Sequence, residues 1–170
     1  MHRNSEAEEE NTDMQEGKRV EDSQVEQVHL LFPAHLNGSG RLFGGQLMQW
    51  IDEVSGIVAR RHSERNIITA AIDNLQFKEG AYEGDTVVLI GRVTHVGNTS
   101  MEVRVDTYVE SLDGVRKPIN RAYIVMVALD ENEKPVRVPR LILETPGEKA
   151  EWEGAERRQE YRKLRRQEGF

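Results

Sequence analysis

The chain has no cysteine among its 170 residues. This absence excludes disulfide bonds, a thiolate nucleophile and any zinc site built on cysteine. It also has no apolar run near the ~20 residues that a membrane-spanning helix needs. The N-terminal segment Met1–Glu6 contains no hydrophobic stretch of the secretory type. We therefore expect a soluble, cytoplasmic protein that does not insert into a membrane.

Positive charge is also scarce, because 23 lysines and arginines are set against 30 acidic residues, for a formal net charge of −7. Such a surface disfavours broad electrostatic attraction to nucleic acid or anionic lipid. None of the histidines shows a metal-ligand spacing such as His-x-x-x-His. We predict no metal and no bound cofactor. The histidines are His2, His29, His35, His62 and His95.

A chain of this length suits one domain with tails, because a domain of roughly 150 residues buries about two thirds of its unfolded surface. Residues 1–22 hold eight acidic side chains, three basic ones and almost no large apolar ones, which predicts a disordered acidic leader. We predict a single domain over 23–146. Residues 147–170 form a charged tail that we expect to be loosely attached, with charge spacing that allows a helix.

Hydrophobic periodicity predicts one early helix and about five strands. The helix covers Gln46–His62 and has an apolar arc. The arc is made of Leu47, Ile51, Val54 and Val58. The predicted strands are Ser23–Phe32, Ile67–Phe77, Thr86–Val96, Ser100–Glu110 and Ile119–Leu129. The connections between strands are too short for parallel crossovers, so we expect an α+β fold with an antiparallel sheet curled around one central helix.

The strand Ser100–Glu110 has the clearest alternation of side chains. Met101, Val103 and Val105 share one face, while Glu102 and Arg104 begin the opposite, charged face. A period of two is typical of a strand with one buried face and one solvated face. We therefore predict that the charged face of this strand is wet.

The candidate chemistry lies in the turn Asn37–Gly45 and the helix after it. The two adjacent glycines permit close approach of the backbone, and N–H groups at a helix start have no partner within the helix. Such groups can hold developing negative charge. Asp52 lies at the edge of an arc of small residues that includes Ser55 and Ala59, where a ligand or a second chain can approach. On spacing alone, a solvated edge residue is the alternative interpretation.

Several motifs in order resemble the hotdog-fold acyl-CoA thioesterases, in particular the cytosolic acyl-CoA hydrolase branch. The resemblance extends from about Val20 to Pro139. Its motifs are Asn37-x-x-Gly40-x-x-Phe43-Gly44-Gly45, Trp50-Ile51-Asp52-Glu53, Thr69-Ala70-Ala71-Ile72-Asp73, Glu83-Gly84-Asp85, Val96-Gly97-Asn98-Thr99-Ser100-Met101-Glu102-Val103 and Val127-Ala128-Leu129-Asp130. Two departures, a missing proline before Gly84 and a polar Asn120, concern the shape of the cleft and the preferred acyl chain.

The resemblance implies a hotdog fold and the hydrolysis of acyl-CoA to fatty acid and CoA, with CoA bound only as part of substrate and product. Asp52 matches the catalytic carboxylate, acting as general base or as nucleophile. Gly44 matches the helix N-terminal amide that polarises the thioester carbonyl. Asn37 matches an asparagine that orients water or contacts the carbonyl, and Thr69 matches a hydroxyl residue near the site.

The resemblance also implies substrate-binding residues and an assembly. Phe43 and Gly45 flank the amide donor, and Gly97, Asn98, Thr99 and Ser100 match a segment that lies along CoA; a plain turn is the alternative. Hotdog thioesterases place their active sites between two units, so we expect a homodimer with two equivalent sites and a trimer of dimers.

Two other functions stay open on the sequence. A hotdog hydroxyacyl dehydratase needs a catalytic histidine paired with an acid on the helix, and the interior of the predicted helix has none. A non-catalytic acyl-CoA sensor keeps the cleft without turnover. Such a protein is expected to lack the helix carboxylate, so the presence of Asp52 disfavours this function.

Overall fold

The computed structural model describes residues 17–73 and 75–170. Seven strands lie within them. They are β1 (Lys18–Arg19), β2 (Val25–Leu30), β3 (Asn66–Asp73), β4 (Thr86–Val96), β5 (Ser100–Glu110), β6 (Arg116–Leu129) and β7 (Leu141–Ile142). Five of these strands form one antiparallel sheet in the order β2-β4-β5-β6-β3. The strands β2 and β3 are therefore its two edges.

The central helix, Gly44–Ser63, packs on one side of this sheet against all five of its strands. Its predicted apolar arc is buried, as are Ser55 and Ala59 on the neighbouring arc. The small-residue arc therefore lies largely inside the core and does not face a gap. A curled antiparallel sheet around one long helix is the hotdog arrangement, so the predicted fold is confirmed.

The C-terminal helix, Pro146–Glu168, packs on the outer side of the sheet. It begins with a capping box, in which Thr145 Oγ1 accepts from Glu148 N at 3.2 Å and the Glu148 side chain accepts from Thr145 N at 3.1 Å. Trp152 lies against His95 of β4, with 4.0 Å between ring centroids. The expectation of a loosely attached tail is therefore wrong, because side chains of this helix contact side chains of the sheet.

Ion pairs make most of that attachment. Arg158 Nη2 donates to Glu102 Oε1 at 2.7 Å, and Arg162 Nη1 donates to Asp73 Oδ2 at 2.7 Å. Arg165 Nη2 donates to the other oxygen of Asp73 at 2.6 Å. Charge-assisted hydrogen bonds of this kind satisfy carboxylates that would otherwise be costly to bury.

The outer face of β5 differs from the prediction that it is wet. Glu102 is only 3% exposed and Asp106 only 2%. Asp106 accepts from Arg104 and Arg121 at 2.8 and 2.6 Å, while Glu102 lies beneath the C-terminal helix. The predicted alternation of the strand is confirmed, but its second face is covered in part by the C-terminal helix.

The end of the predicted leader also differs from expectation. Lys18–Arg19 pairs in parallel with Leu141–Ile142, and a helical turn follows at Val20–Ser23. Val20 is buried, and Lys18 Nζ contacts Glu64 Oε1 at 2.6 Å. The prediction of disorder is therefore wrong for 17–22, while residues 1–16 lie outside the described part of the chain. The domain limits of 23 and 146 stay a prediction.

The strand β3 ends earlier than the sequence predicts. The predicted strand Ile67–Phe77 is longer than β3, which ends at Asp73, and residues 75–79 follow without regular hydrogen bonding. The chain then returns to the turn before the central helix, where Leu42 N donates to the carbonyl of Ala81 at 2.7 Å.

Of the helices in the described part of the chain, none has the length and apolarity that a bilayer crossing requires.

Replacing Arg158 with alanine should lower the free energy of unfolding by on the order of 3 kcal/mol, because it leaves the buried carboxylate of Glu102 short of its main partner. Arg157→Ala is the matched control, since Arg157 is exposed on the same helix. Denaturant unfolding of both variants measures the difference. Equal stability of the two variants would contradict the role given to the buried ion pair.

Candidate active site

The start of the central helix presents backbone donors that the helix itself does not satisfy. Phe43 is the N-cap residue and provides no side-chain cap. The first backbone hydrogen bond of the helix runs from Leu47 N to the carbonyl of Phe43, at 3.1 Å. The N–H groups of Gly44, Gly45 and Gln46 therefore have no acceptor within the helix, and together with the helix dipole they favour a negative charge placed there.

Aromatic rings lie close to both glycines at this helix start. A methyl group added at Gly44 would lie 3.3 Å from Phe77 Cζ, and one added at Gly45 would lie 2.6 Å from Phe43 Cε1. The absence of side chains at these positions lets the rings approach the backbone. Phe43 is itself half exposed, beside the donors.

The loop before the helix is shaped by Asn37. Its Oδ1 accepts from Ser39 N at 2.9 Å and from Arg41 N at 3.2 Å. These two bonds make an Asx turn, a conformation that asparagine and aspartate both favour. Within 17–73 and 75–170, the side-chain NH₂ of Asn37 donates to no other group, so it is the part of this side chain that can meet a ligand.

Three rings hold the same loop against the central helix. His29 stacks on Trp50 with centroids 3.9 Å apart, and His35 meets the same indole edge-on at 5.2 Å. The His35 carbonyl also accepts from Phe43 N at 2.9 Å. Burial lowers the pKa of His29 because the charged imidazolium would lose its hydration. The loop that carries Asn37 is thus fixed to the helix start by packing.

Asp52 and Thr69 form a second group two turns further along the helix. Thr69 Oγ1, on the edge strand β3, donates to Asp52 Oδ1 at 2.6 Å. Both residues are exposed in the single chain. Within 17–73 and 75–170 the second carboxylate oxygen of Asp52 accepts no hydrogen bond, so the pair can orient a carboxylate that accepts a proton.

The two groups do not meet within one chain. A cavity of about 280 Å³ is lined by Asn37 and Gly44 but by neither Asp52 nor Thr69. Eight residues of helix separate Gly44 from Asp52, which is about 12 Å along the axis. The predicted catalytic residues therefore form two pairs, Asn37 with Gly44 and Asp52 with Thr69. The first pair lacks a carboxylate, and the second lacks the helix N-terminal amides.

The predicted CoA-contacting residues form the hairpin between β4 and β5. Gly97 N donates to the Ser100 carbonyl at 2.8 Å, while the carbonyls of Asn98 and Thr99 accept from Val138 N and Ala128 N. Met101, just after this hairpin, pairs with Met126 of β6, and Met126 pairs with Thr69 on its other side. One strand therefore lies between Met101 and Thr69. Two strand spacings give about 10 Å, so the hairpin lies within reach of an extended ligand that begins at Thr69.

No cluster of three or more histidine, aspartate or glutamate side chains in the described part of the chain is arranged to hold a metal ion. His62 lies in the last turn of the central helix, about 15 Å along the axis from Asp52. Its Nε2 is 3.0 Å from the Pro139 carbonyl, and burial lowers its pKa. It therefore does not pair with Asp52.

Phe77 is a residue that the sequence did not single out. The sequence pattern places it in a strand, but it lines the cavity next to Gly44, together with Leu47, Ala81 and Ile119. No periodicity marks such a residue, because its neighbours run through an irregular segment.

Comparison with known proteins gives a consistent set of relatives. Residues 39–114 match the thioesterase superfamily. The uncharacterized acyl-CoA thioester hydrolase YkhA of Bacillus subtilis is 40% identical over 134 residues, covering 78% of each chain. The cytosolic acyl coenzyme A thioester hydrolase of Rattus norvegicus is 35% identical over 156 residues. The match covers 89% of this chain but only 41% of the rat protein, so this chain spans less than half of that relative.

Solved structures agree with these sequence matches. An apo-hexameric acyl-CoA thioesterase superposes with a TM-score of 0.84 at 40% identity, covering 87% of this chain and 96% of the other. An acyl-CoA hydrolase of Staphylococcus aureus, solved with butyryl-CoA, CoA and CoA disulfide, gives 0.84 at 32% identity, covering 89% and 93%.

Variants of the Staphylococcus enzyme have been solved in which an asparagine, an aspartate or a threonine is replaced by alanine. Those residues are separated by 15 and 17 positions along its chain. Asn37, Asp52 and Thr69 have the same separations.

Replacing Asn37 with alanine should lower the free energy of unfolding by about 1 kcal/mol or somewhat more, because two backbone N–H groups lose their acceptor. Asn37→Asp keeps that acceptor and should retain native stability. Thermal unfolding of the two variants tests the Asx turn. Equal loss of stability in both variants would show that the amide nitrogen, and not the carbonyl, holds the loop.

Proposed function

Since this chain belongs to the thioesterase superfamily, we propose that it is an acyl-CoA thioesterase, which hydrolyses the thioester to a free fatty acid and CoA. The observation that carries the proposal is the 2.6 Å hydrogen bond from Thr69 to Asp52 at the exposed sheet edge, together with unpaired amides at the helix start. A thioester hydrolase needs these two elements, a proton acceptor and oxyanion donors.

The proposed chemistry divides the work between the two groups. Asp52 accepts a proton from water through its free oxygen while Thr69 holds the other oxygen in place. The water oxygen attacks the thioester carbon, and the N–H groups of Gly44 and Gly45 stabilise the oxyanion that forms. The NH₂ group of Asn37 orients the carbonyl or the water. When the C–S bond breaks, the proton on Asp52 passes to the CoA sulfur, which gives CoA-SH and a carboxylic acid.

The edge strand β3 supports a shared site. In the described part of the chain it pairs with β6 on one side only, and its Ile68 and Ile72 are exposed. An uncovered apolar edge is a template for pairing with a second chain. Pairing at β3 would place a partner chain next to Asp52. The helix start of the partner would then supply the amides that face Asp52 of the first chain, which cannot reach the amides of its own helix. Each dimer then holds two equivalent sites.

The wider setting follows the same relatives. The hexameric neighbour supports a trimer of dimers for this chain as well. CoA enters only as part of the substrate and product, and the hairpin Gly97–Ser100 lies along it. We place the protein in the cytoplasm and in fatty acid metabolism, consistent with the cytosolic rat relative. A dehydratase is not favoured, because His62 lies away from Asp52 and is bonded to a backbone carbonyl.

Thiol release from acyl-CoA tests the proposal directly. Asp52→Asn should lower kcat by about 10²–10⁴-fold, because the amide keeps the shape of the carboxylate but cannot accept the proton. Glu53→Gln is the matched control. Glu53 is the neighbouring acid, exposed on the helix and bonded to Gln49, and its replacement should leave kcat unchanged.

Native rates in Asp52→Asn would remove the catalytic assignment while leaving the activity in place. Absence of thiol release by the native protein from every acyl-CoA, combined with measurable acyl-CoA binding, would instead support the non-catalytic sensor.

A further inference from the structure

The cavity at the helix start has one aromatic wall that the proposed chemistry does not use. Phe77 lies against Gly44 and lines this cavity together with Leu42, Leu47 and Ile119. Polar side chains, among them Asn37 and Lys78, share the lining with these apolar ones. An acyl chain whose carbonyl is bound at the amide of Gly44 would run along the apolar side chains and meet the ring.

The segment that carries Phe77 is fixed on both sides of the ring. Asn120 Nδ2 donates to the Gln76 carbonyl at 2.6 Å from the buried side of β6. Glu79 forms an ion pair with Lys117 of the same strand. The ring is therefore placed by contacts to β6 although the segment has no regular hydrogen bonding and Phe77 itself is 53% exposed.

Resting on the proposed function, we infer that Phe77 sets the length of acyl chain that the site accepts, as the outer wall of the acyl cavity. A buried methylene contributes about fourfold to binding, so selectivity should rise with each carbon until the chain reaches the ring. Beyond that length a chain must displace the ring or remain in water, and the gain stops.

The experiment measures kcat/KM on linear acyl-CoAs from acetyl to palmitoyl for the native protein, three Phe77 variants and one control variant. Phe77→Ala should raise the ratio of lauroyl-CoA to butyryl-CoA by about tenfold or more, within the range that one or two misfitted carbons produce. Phe77→Leu should give a smaller rise, and Phe77→Trp should shift the optimum to shorter chains. Tyr161→Ala is the control, since Tyr161 is also an exposed aromatic residue and lies on the C-terminal helix.

The order of these shifts supports the inference only if it follows the size of the side chain. A chain-length profile in Phe77→Ala and Phe77→Leu that superposes on the native one would overturn it, whether or not the oligomer mass changes. The same shift in Tyr161→Ala would also overturn it. Thiol release by the native protein with an unchanged Phe77→Ala profile rejects this inference alone, whereas absence of release from every substrate rejects the proposed function and this inference with it.

Discussion

Backbone hydrogen bonding fixes the central helix at ~1.5 Å per residue, so the amides at Gly44 and the carboxylate of Asp52 stay about 12 Å apart on one rigid rod. No side-chain rotation closes that distance. The helix cannot bend there either, because Leu47, Ile51 and Val54 are packed into the sheet. In the proposed site the amides therefore come from a second helix, and the exposed edge strand is where that second chain would pair.

The helices on the two sides of the sheet are held by different kinds of interaction. Inside, apolar side chains of the central helix and five strands exclude water. Outside, the C-terminal helix is attached by carboxylate–guanidinium pairs at Asp73 and Glu102. Asp73 ends the same strand that carries Thr69, so the ion pairs also fix the strand that positions the carboxylate. The outer layer thereby stabilises the edge at which the proposed partner docks.

Sequence reasoning predicted what depends on local periodicity. Thr86–Val96 and Ser100–Glu110 match the observed strands at both ends, because alternation and flanking turns define them. Burial of Glu102 was missed, since a strand pattern carries no information about a helix that arrives fifty residues later in the chain. The place of Phe77 in the cavity lining was missed for a similar reason: the residues beside it contact Asn120 and Lys117 of another strand. Asn37, Gly44, Asp52 and Thr69 are predicted through the family resemblance, and the structure adds that they form two separate pairs within one chain, Asn37 with Gly44 and Asp52 with Thr69.

Subunit complementation tests the shared site most directly. Asp52→Ala and Asn37→Asp should each be inactive as homodimers, and Asn37→Asp keeps the acceptor that holds its loop. After the two variants are dissociated and reassembled in equal amounts, half of the dimers are mixed and each mixed dimer regains one intact site. The account predicts recovery of about a quarter of native thiol release. No recovery, with mixed dimers shown to be present, would mean that Asp52 and Asn37 act within a single chain and would contradict it.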